Sequence, residues 1–154
     1  MPEQVITDTS VLIALEKLNA LQLLCKVYSQ VWVPEAVKRE FGPISLPCVA
    51  AKNTKGKLAH LLINDLNLGA GEAEVISIAS ENNLTVMIDD MRARKVAENM
   101  GLSVTGTVGF LLKAKRLNLI ESAFEKAQEL RRLGFYISDS LLGEIQEIER
   151  NRKG

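Results

Sequence analysis

The sequence predicts an α/β fold in which a parallel sheet is covered on both faces by helices. Short apolar runs rich in β-branched residues alternate with longer segments of helical period. No repeat, low-complexity tract or Ser/Gly-rich linker interrupts this alternation. The chain has 154 residues, of which 47% are hydrophobic and 25% charged, and this is enough for one domain with its own core. The order of the elements is typical of βαβ units.

The first half of the chain predicts two strand–helix units followed by an irregular stretch. The elements are, in order, a strand at 5–7, a helix with apolar positions 11, 12 and 15, a short helix through 21–27, a strand at 31–33 and a helix at 35–41. Pro34 suits the start of the last helix, and Gly42 with Pro43 ends it. Residues 43–68 are expected to be irregular, with a short helix or an edge strand.

The second half predicts two further strands and five helices. They are, in order, a helix after Gly71 that ends near 82–83, a strand at 84–88, a helix at 91–100, a strand at 102–105, a turn at 106–107, and helices at 108–116, 123–133 and from about 140. Gly101 is a suitable left-handed residue after the second of these helices, and Gly134 separates the last two.

The charge balance excludes one class of nucleic-acid-binding protein. Lys and Arg number 19, Asp and Glu number 19, and the net charge is zero. Binding through bulk positive charge is therefore excluded, and 5% aromatic residues leave little for base-stacking surfaces. The charges are unevenly distributed, because residues 58–91 contain no Lys or Arg but six acids: Asp65, Glu72, Glu74, Glu81, Asp89 and Asp90.

The two cysteines indicate neither a zinc site nor a disulfide. Cys25 and Cys48 lie in unrelated contexts without a CxxC spacing, and we expect both to be buried small residues. The N-terminus has no basic segment followed by an apolar one, and no apolar run reaches the roughly 20 residues that span a bilayer. We expect a cytoplasmic protein with no membrane association.

Acidic residues fall where the predicted parallel strands end. Asp8 follows the first strand, and Asp89 with Asp90 follows the later one. Ligands bind beyond the carboxyl ends of strands in open α/β sheets, and right-handed connections allow Glu40 and Glu72 to reach the same crevice. Carboxylates held together repel one another unless a cation neutralises them. Oxygen ligands suit Mg²⁺ or Mn²⁺.

Each acid also has a purely structural interpretation. Asp8 and Asp90 can cap the helices that follow them, and Glu72 can complement a helix dipole. Glu40 opposes the dipole near a helix C-terminus, so it is either a ligand or a solvated side chain. His60, the single histidine, lies in an apolar run and is expected in the core or at its boundary. No nucleophilic triad is therefore available.

Six segments form a set when taken in chain order. They are VITDTSVLIAL at 5–15, VPEAVKRE at 33–40, GEAE at 71–74, IDD followed by RAR at 88–94, LSVTGTVG at 102–109 and GFYIS at 134–138. Together they resemble the PIN domain, most closely its DUF3368 branch, which is related to the VapC toxins of prokaryotic toxin–antitoxin pairs. The resemblance implies a three-layer α/β/α sandwich around a central parallel sheet, with residues 1–150 as a single PIN-like domain.

The resemblance also implies a metal-dependent ribonuclease site. Matched position by position, the family's catalytic acids correspond to Asp8, Glu40, Glu72 and Asp90, and the ligands of Mg²⁺ or Mn²⁺ to Asp8, Glu72, Asp90 and Asp89. The sequence departs from the commoner pattern at Glu72, where VapC-like sequences carry Asp, at Asp89, where a neutral residue is frequent, and at Met91, where Arg is frequent in this branch.

Substrate and partners follow from the same interpretation. The substrate is RNA, contacted by the hydroxyls of Thr9 and Ser10 and by Arg92 and Arg94. A homodimer and an antitoxin protein are the expected protein partners. The alternative is a non-catalytic PIN-like domain that binds RNA or a protein as a regulator. A haloacid-dehalogenase-type phosphatase and a receiver domain are disfavoured, because Ser10 stands where the former needs Asp and the acidic pair follows the wrong strand for the latter.

Overall fold

A five-stranded parallel sheet forms the centre of the computed structural model, which describes residues 3–54 and 56–151. The strands are β1 (Gln4–Thr7), β2 (Gln30–Val33), β3 (Val49–Ala51), β4 (Thr85–Met87) and β5 (Val104–Thr105), in the spatial order β3-β2-β1-β4-β5. The helices are α1 (Thr9–Lys17), α2 (Leu24–Val27), which follows a 3-10 turn at Leu21–Leu23, α3 (Glu35–Phe41), α4 (Leu58–Leu66), α5 (Ala70–Asn82), α6 (Met91–Asn99), α7 (Thr107–Arg116), α8 (Ala123–Arg132) and α9 (Asp139–Asn151).

The central strand shows that helices cover both faces of the sheet. Val5, Ile6 and Thr7 of β1 are all fully buried, although successive side chains of a strand point to opposite faces. Ile6 pairs with Trp32 of β2 on one side and with Val86 of β4 on the other. This arrangement confirms the predicted α/β/α fold with its parallel sheet. No helix within the described residues has the length and apolar character needed to cross a membrane.

Asparagine and glycine residues in left-handed conformation end several helices. Asn67 and Asn83 follow α4 and α5 with φ of 59° and 53°, and Gly101 and Gly134 have φ of 80° and 101°. These residue types adopt positive φ at lower cost than others, so they fix where the chain leaves the helix. The predicted ends near residues 83, 101 and 134 therefore agree with the structure to within about two residues.

The stretch at 43–68 contains both elements that the sequence left open. Strand β3 pairs in parallel with β2 at the edge of the sheet, with Val31 opposite Val49, and α4 packs against α5. The loop between β3 and α4 is tied to α5, because the Thr54 hydroxyl donates to Glu81 Oε2 at 2.9 Å and shares a hydrogen bond with Ser77 Oγ.

The expectation of two unpaired, buried cysteines is wrong. Cys25 and Cys48 form a disulfide, and Cys25 is only half-buried. The 23-residue separation carried no pairing signal in the sequence. The parallel pairing of β2 with β3 brings Cys48, the residue before β3, next to the helix that precedes β2.

The expectation for His60 is also wrong. His60 is exposed on α4, whereas Ala59 and Leu62 of the same helix are buried. The apolar run at 58–63 is one half-buried helix, and only one side of such a helix faces the core.

Candidate functional site

Asp8 lies buried at the carboxyl end of the central strand. Its backbone N–H donates to the carbonyl oxygen of Met87 in β4 at 3.3 Å, which places it between the ends of β1 and β4. Its Oδ1 accepts the backbone N–H of Val11 at 3.2 Å, so it is also the N-cap of α1. Asp8 is only 3% exposed. The structural interpretation of Asp8 as a helix cap is therefore confirmed, and its functional role stays a prediction.

The surroundings of Asp8 disfavour its charged form. Burial first, and then the negative charges of Asp89 and Glu72, raise the pKa of Asp8 from 3.8 to about 7, although the hydrogen bond from the Val11 N–H opposes the shift. The position of the Asp8 carboxylate therefore favours its protonated form. A bound cation would reverse this preference.

Glu72 and Glu40 approach from two neighbouring helices. Glu72 lies in the first turn of α5, where its Oε1 accepts the N–H of Gly69 at 3.3 Å. Burial and then the charge of Asp90 raise the pKa of Glu72, and Glu40 contributes in the same direction. A Cβ on Gly71 would lie 3.3 Å from Glu40 Oε1, so the absence of a side chain at this position lets Glu40 come close to the start of α5.

Asp89 and Asp90 follow β4 but make different contacts. Asp90 is the N-cap of α6 and accepts the Ala93 N–H on Oδ2 at 2.9 Å. Asp89 accepts two hydrogen bonds from Thr107 at the start of α7, from the backbone N–H on Oδ1 at 2.8 Å and from the hydroxyl on Oδ2 at 2.5 Å. Both acids are exposed. Thr107 thus donates one hydrogen bond to each carboxylate oxygen of Asp89.

The acids form one electrostatic group, which we call the acidic site. Each member either has a pKa raised by the charge of another member, as Asp8 and Glu72 do, or supplies that charge. The members come from the ends of β1 and β4 and from α3 and α5: Asp8, Glu40, Glu72, Asp89 and Asp90. Within residues 3–54 and 56–151, however, no three Asp, Glu, His or Cys side chains stand close enough together to form a ready metal-binding group. Metal binding here would require side-chain movement or bridging water.

The chemistry of the donors still fits a hard divalent cation. All five side chains offer carboxylate oxygens, which Mg²⁺ and Mn²⁺ prefer, and Mg²⁺ usually keeps several of its waters. The hydroxyl oxygen of Thr9, next to Asp8, is buried and has no hydrogen-bond partner among the described residues. A buried polar atom without a hydrogen-bond partner costs free energy. Thr9 Oγ1 is therefore a further oxygen, next in sequence to the most buried acid, that is free to accept or donate a hydrogen bond within the described structure.

One family model matches residues 4–149 and is described as DUF3368, a PIN domain. The chain belongs to the PIN domain family. The match covers almost the whole chain and agrees with the resemblance drawn from the six segments. PIN domains have a nuclease-like fold, are generally nucleases and typically use divalent metals. No curated protein matches the chain.

Two arginines flank the acidic site of this PIN domain. Arg92 Nη2 donates to the carbonyl oxygen of Leu66 at the end of α4 at 2.7 Å, and its charge lowers the pKa of Glu72. Arg94 Nη1 donates to the carbonyl oxygen of Ile88 at 3.0 Å. A guanidinium has five N–H donors, so each arginine keeps donors for a further acceptor while one bond fixes its position.

Two other positions of the PIN domain escaped the sequence interpretation. The predicted turn at 106–107 contains Thr107, which holds Asp89, and α7 begins at Thr107 itself. Glu74 joins two helices, because its Oε2 accepts the N–H of Ala36 in the first turn of α3 at 3.2 Å. Neither contact could be read from spacing, since the partners are 18 and 38 residues apart.

Proposed function

We propose that this PIN domain is a metal-dependent ribonuclease of the VapC-like type that hydrolyses RNA phosphodiester bonds. The observation that carries the proposal is the burial of Asp8 at the carboxyl end of β1, among the negative charges of Glu72 and Asp89. Such an arrangement disfavours the apo, fully ionised state, and a bound divalent cation offsets the cost. Carboxylates whose pKa is strongly shifted by burial and by neighbouring charges are typical of functional sites.

The ligands of Mg²⁺ or Mn²⁺ in this proposal are Asp8, Glu72 and Asp90, with Glu40 and Asp89 binding directly or through water. When bound, such an ion lowers the pKa of a water molecule and stabilises negative charge on the phosphate. Asp89 is the member best suited to an indirect role, because Thr107 already donates to both of its oxygens. Asp8, Glu40, Glu72 and Asp90 are the proposed catalytic acids.

Polar groups beside the acids are proposed to bind the RNA backbone. Thr9 and Ser10 lie in the first turn of α1, where N–H groups favour an anion. Ser10 is exposed, whereas the Thr9 hydroxyl is buried and would reach a phosphate only after a change of rotamer. Arg92 and Arg94 supply positive charge at the rim, and their bonds to backbone carbonyls limit the side-chain entropy that phosphate binding would cost. These contacts orient the substrate without reading its sequence.

The proposed biological context follows from the VapC relationship. The chain would act in the cytoplasm as the toxin of a toxin–antitoxin pair, with residues 1–150 as a single domain that forms a homodimer. An antitoxin would block the acidic site with a basic side chain, because a guanidinium makes strong bidentate hydrogen bonds to carboxylates. Co-purification with the product of a neighbouring reading frame tests this part separately.

The second candidate is a regulatory PIN domain that binds RNA or a protein without turnover. It is favoured by one observation: among the described residues the acids do not form a ready metal-binding group. In that case the acidic site would bind metal weakly, and the arginines would bind a partner whether or not Asp8 is intact.

Calorimetric titration with Mn²⁺ separates the two candidates. The ribonuclease proposal predicts saturable binding by the wild type, loss of at least about tenfold in affinity in Asp8→Asn, and unchanged binding in Asp139→Asn. Asp139 is a matched control, because its carboxylate is exposed and pairs with Arg131 on α8. Retained RNA binding without Mn²⁺ binding in the wild type would support the regulatory candidate and contradict the nuclease.

A further inference from the structure

Thr107 and Asp89 join the carboxyl ends of two neighbouring strands. Asp89 follows β4, Thr107 follows β5, and the Ile88 N–H donates to the carbonyl oxygen of Thr105 at 2.9 Å between them. Past this backbone hydrogen bond, Thr107 donates two further hydrogen bonds to the Asp89 carboxylate and so extends the connection between the two strand ends. Hydrogen bonds to a carboxylate are about twice as strong as those between neutral groups, and a two-point contact also fixes the plane of the carboxylate.

The backbone at residue 106 is shaped for this contact. A Cβ on Gly106 would lie 2.5 Å from Asp89 Oδ1, 2.6 Å from Arg94 Nη1 and 3.4 Å from the carbonyl oxygen of Ile88. The first two distances are too short for any real Cβ, so only glycine lets Asp89 and Arg94 approach this closely. The φ of Gly106 is −137°, so the requirement is one of space and not of backbone conformation.

The turn at 88–90 is held from three directions. Arg94 donates to the carbonyl of Ile88, Thr107 donates to the side chain of Asp89, and Asp90 caps α6 through Ala93. Thr107 is itself 3% exposed and lies at the start of α7, so its hydroxyl is fixed by the core and not by solvent. The residues on either side of Asp89 are therefore held as well: Ile88 by Arg94, and Asp90 by the Ala93 N–H.

We propose that Thr107 is a positioning residue, which holds the Asp89 carboxylate against α7 and thereby fixes the Asp89–Asp90 turn relative to Asp8 and Glu72. The inference rests on the proposed function where it treats Asp90 as a metal ligand. Residues that orient metal ligands through hydrogen bonds typically change metal affinity or activity by about 10- to 100-fold when they are removed.

Thr107→Val tests the inference, because valine keeps the shape and the backbone N–H but removes the hydroxyl. Thr107→Ser restores the hydroxyl. Thr54→Val is the matched control, since Thr54 also donates its hydroxyl to a carboxylate, that of Glu81, away from the acidic site. The measurements are hydrogen exchange of the Ala93 amide without metal, and the affinity for Mn²⁺ alone.

We expect Thr107→Val to speed the exchange of the Ala93 amide by about tenfold and to weaken Mn²⁺ binding by about 10- to 100-fold. Thr107→Ser and Thr54→Val should match the wild type in both. If the Ala93 amide exchanges at the wild-type rate in Thr107→Val, or is accelerated equally in Thr54→Val, the positioning role is overturned. If the wild type itself binds no Mn²⁺, the proposed function fails, and the exchange of Ala93 still decides this inference.

Discussion

Replacing Asp8 by asparagine should make the stability of the protein less sensitive to a rise in pH from acidic to neutral values. The pKa of Asp8 is about 7 in the folded protein, against 3.8 for an ordinary aspartate. The folded state therefore holds the proton to higher pH than the unfolded chain does. The contribution of Asp8 to wild-type stability is largest below about pH 4 and is lost as the pH rises to about 7, because the folded protein then resists an ionisation that the unfolded chain accepts.

The size of the effect follows from the two pKa values. Each pKa unit corresponds to about 1.4 kcal/mol. Between about pH 5 and about pH 8, the difference between the folded and the unfolded pKa of Asp8 lowers the free energy of unfolding of the wild type by about 3 kcal/mol. Asparagine does not ionise, and it can still cap α1 by accepting the Val11 N–H. The advantage of Asp8→Asn over the wild type should therefore grow by about 3 kcal/mol across this range. Any fixed cost of the buried amide cancels in the comparison.

Urea unfolding at several pH values, with EDTA present, measures this difference. Asp139→Asn is the control, since it makes the same substitution at an exposed carboxylate on α9 and leaves Asp8 in place. A stability difference between Asp8→Asn and the wild type that does not change with pH would refute the reasoning. So would a difference that moves against the variant as the pH rises.

Three further predictions concern packing, the disulfide and a helix cap. Gly106→Ala should lower the free energy of unfolding by about 2 kcal/mol, because the added Cβ would overlap Asp89 and Arg94. Gly143→Ala, whose Cβ would meet nothing within 4 Å, should raise it by about 0.5 kcal/mol. Equal effects of the two substitutions in urea unfolding would contradict the close packing at Gly106. Peptide mass spectrometry without reductant should find Cys25 linked to Cys48, and reduction should cost about 3 kcal/mol of stability; two free thiols would contradict the structure. Glu149→Ala should cost about 2 kcal/mol and speed hydrogen exchange at the start of α8, where this carboxylate accepts two backbone N–H groups and a hydroxyl; unchanged exchange would show that the cap is dispensable.

The sequence predicted the fold because its signals are local. Strands and helices follow from apolar periodicity, and several helix ends follow from Asn or Gly, as at Asn83 and Gly101. The acids at the ends of β1 and β4 could be located for the same reason, since Asp8 directly follows β1 and Asp89 and Asp90 come two and three residues after the end of β4. A parallel sheet then brings these ends to one edge without further information.

The contacts that were missed are the ones that depend on tertiary structure. The Cys25–Cys48 disulfide requires the pairing of β3 with β2, and the bond from Thr107 to Asp89 requires the register of β4 with β5. His60 was misassigned because an apolar run does not tell which side of a short helix faces the core. Composition and spacing contain none of this information.

Cleavage of a structured RNA in the presence of Mn²⁺ tests the proposed function most directly. The comparison needs the wild type, Asp8→Asn and the control Asp139→Asn, all shown to be folded. We expect the wild type and Asp139→Asn to cleave the RNA only when Mn²⁺ is present, and Asp8→Asn to cleave it at least about a hundredfold more slowly. Equal cleavage by the wild type and Asp8→Asn, or no dependence on Mn²⁺, would contradict a metal-dependent ribonuclease at the acidic site.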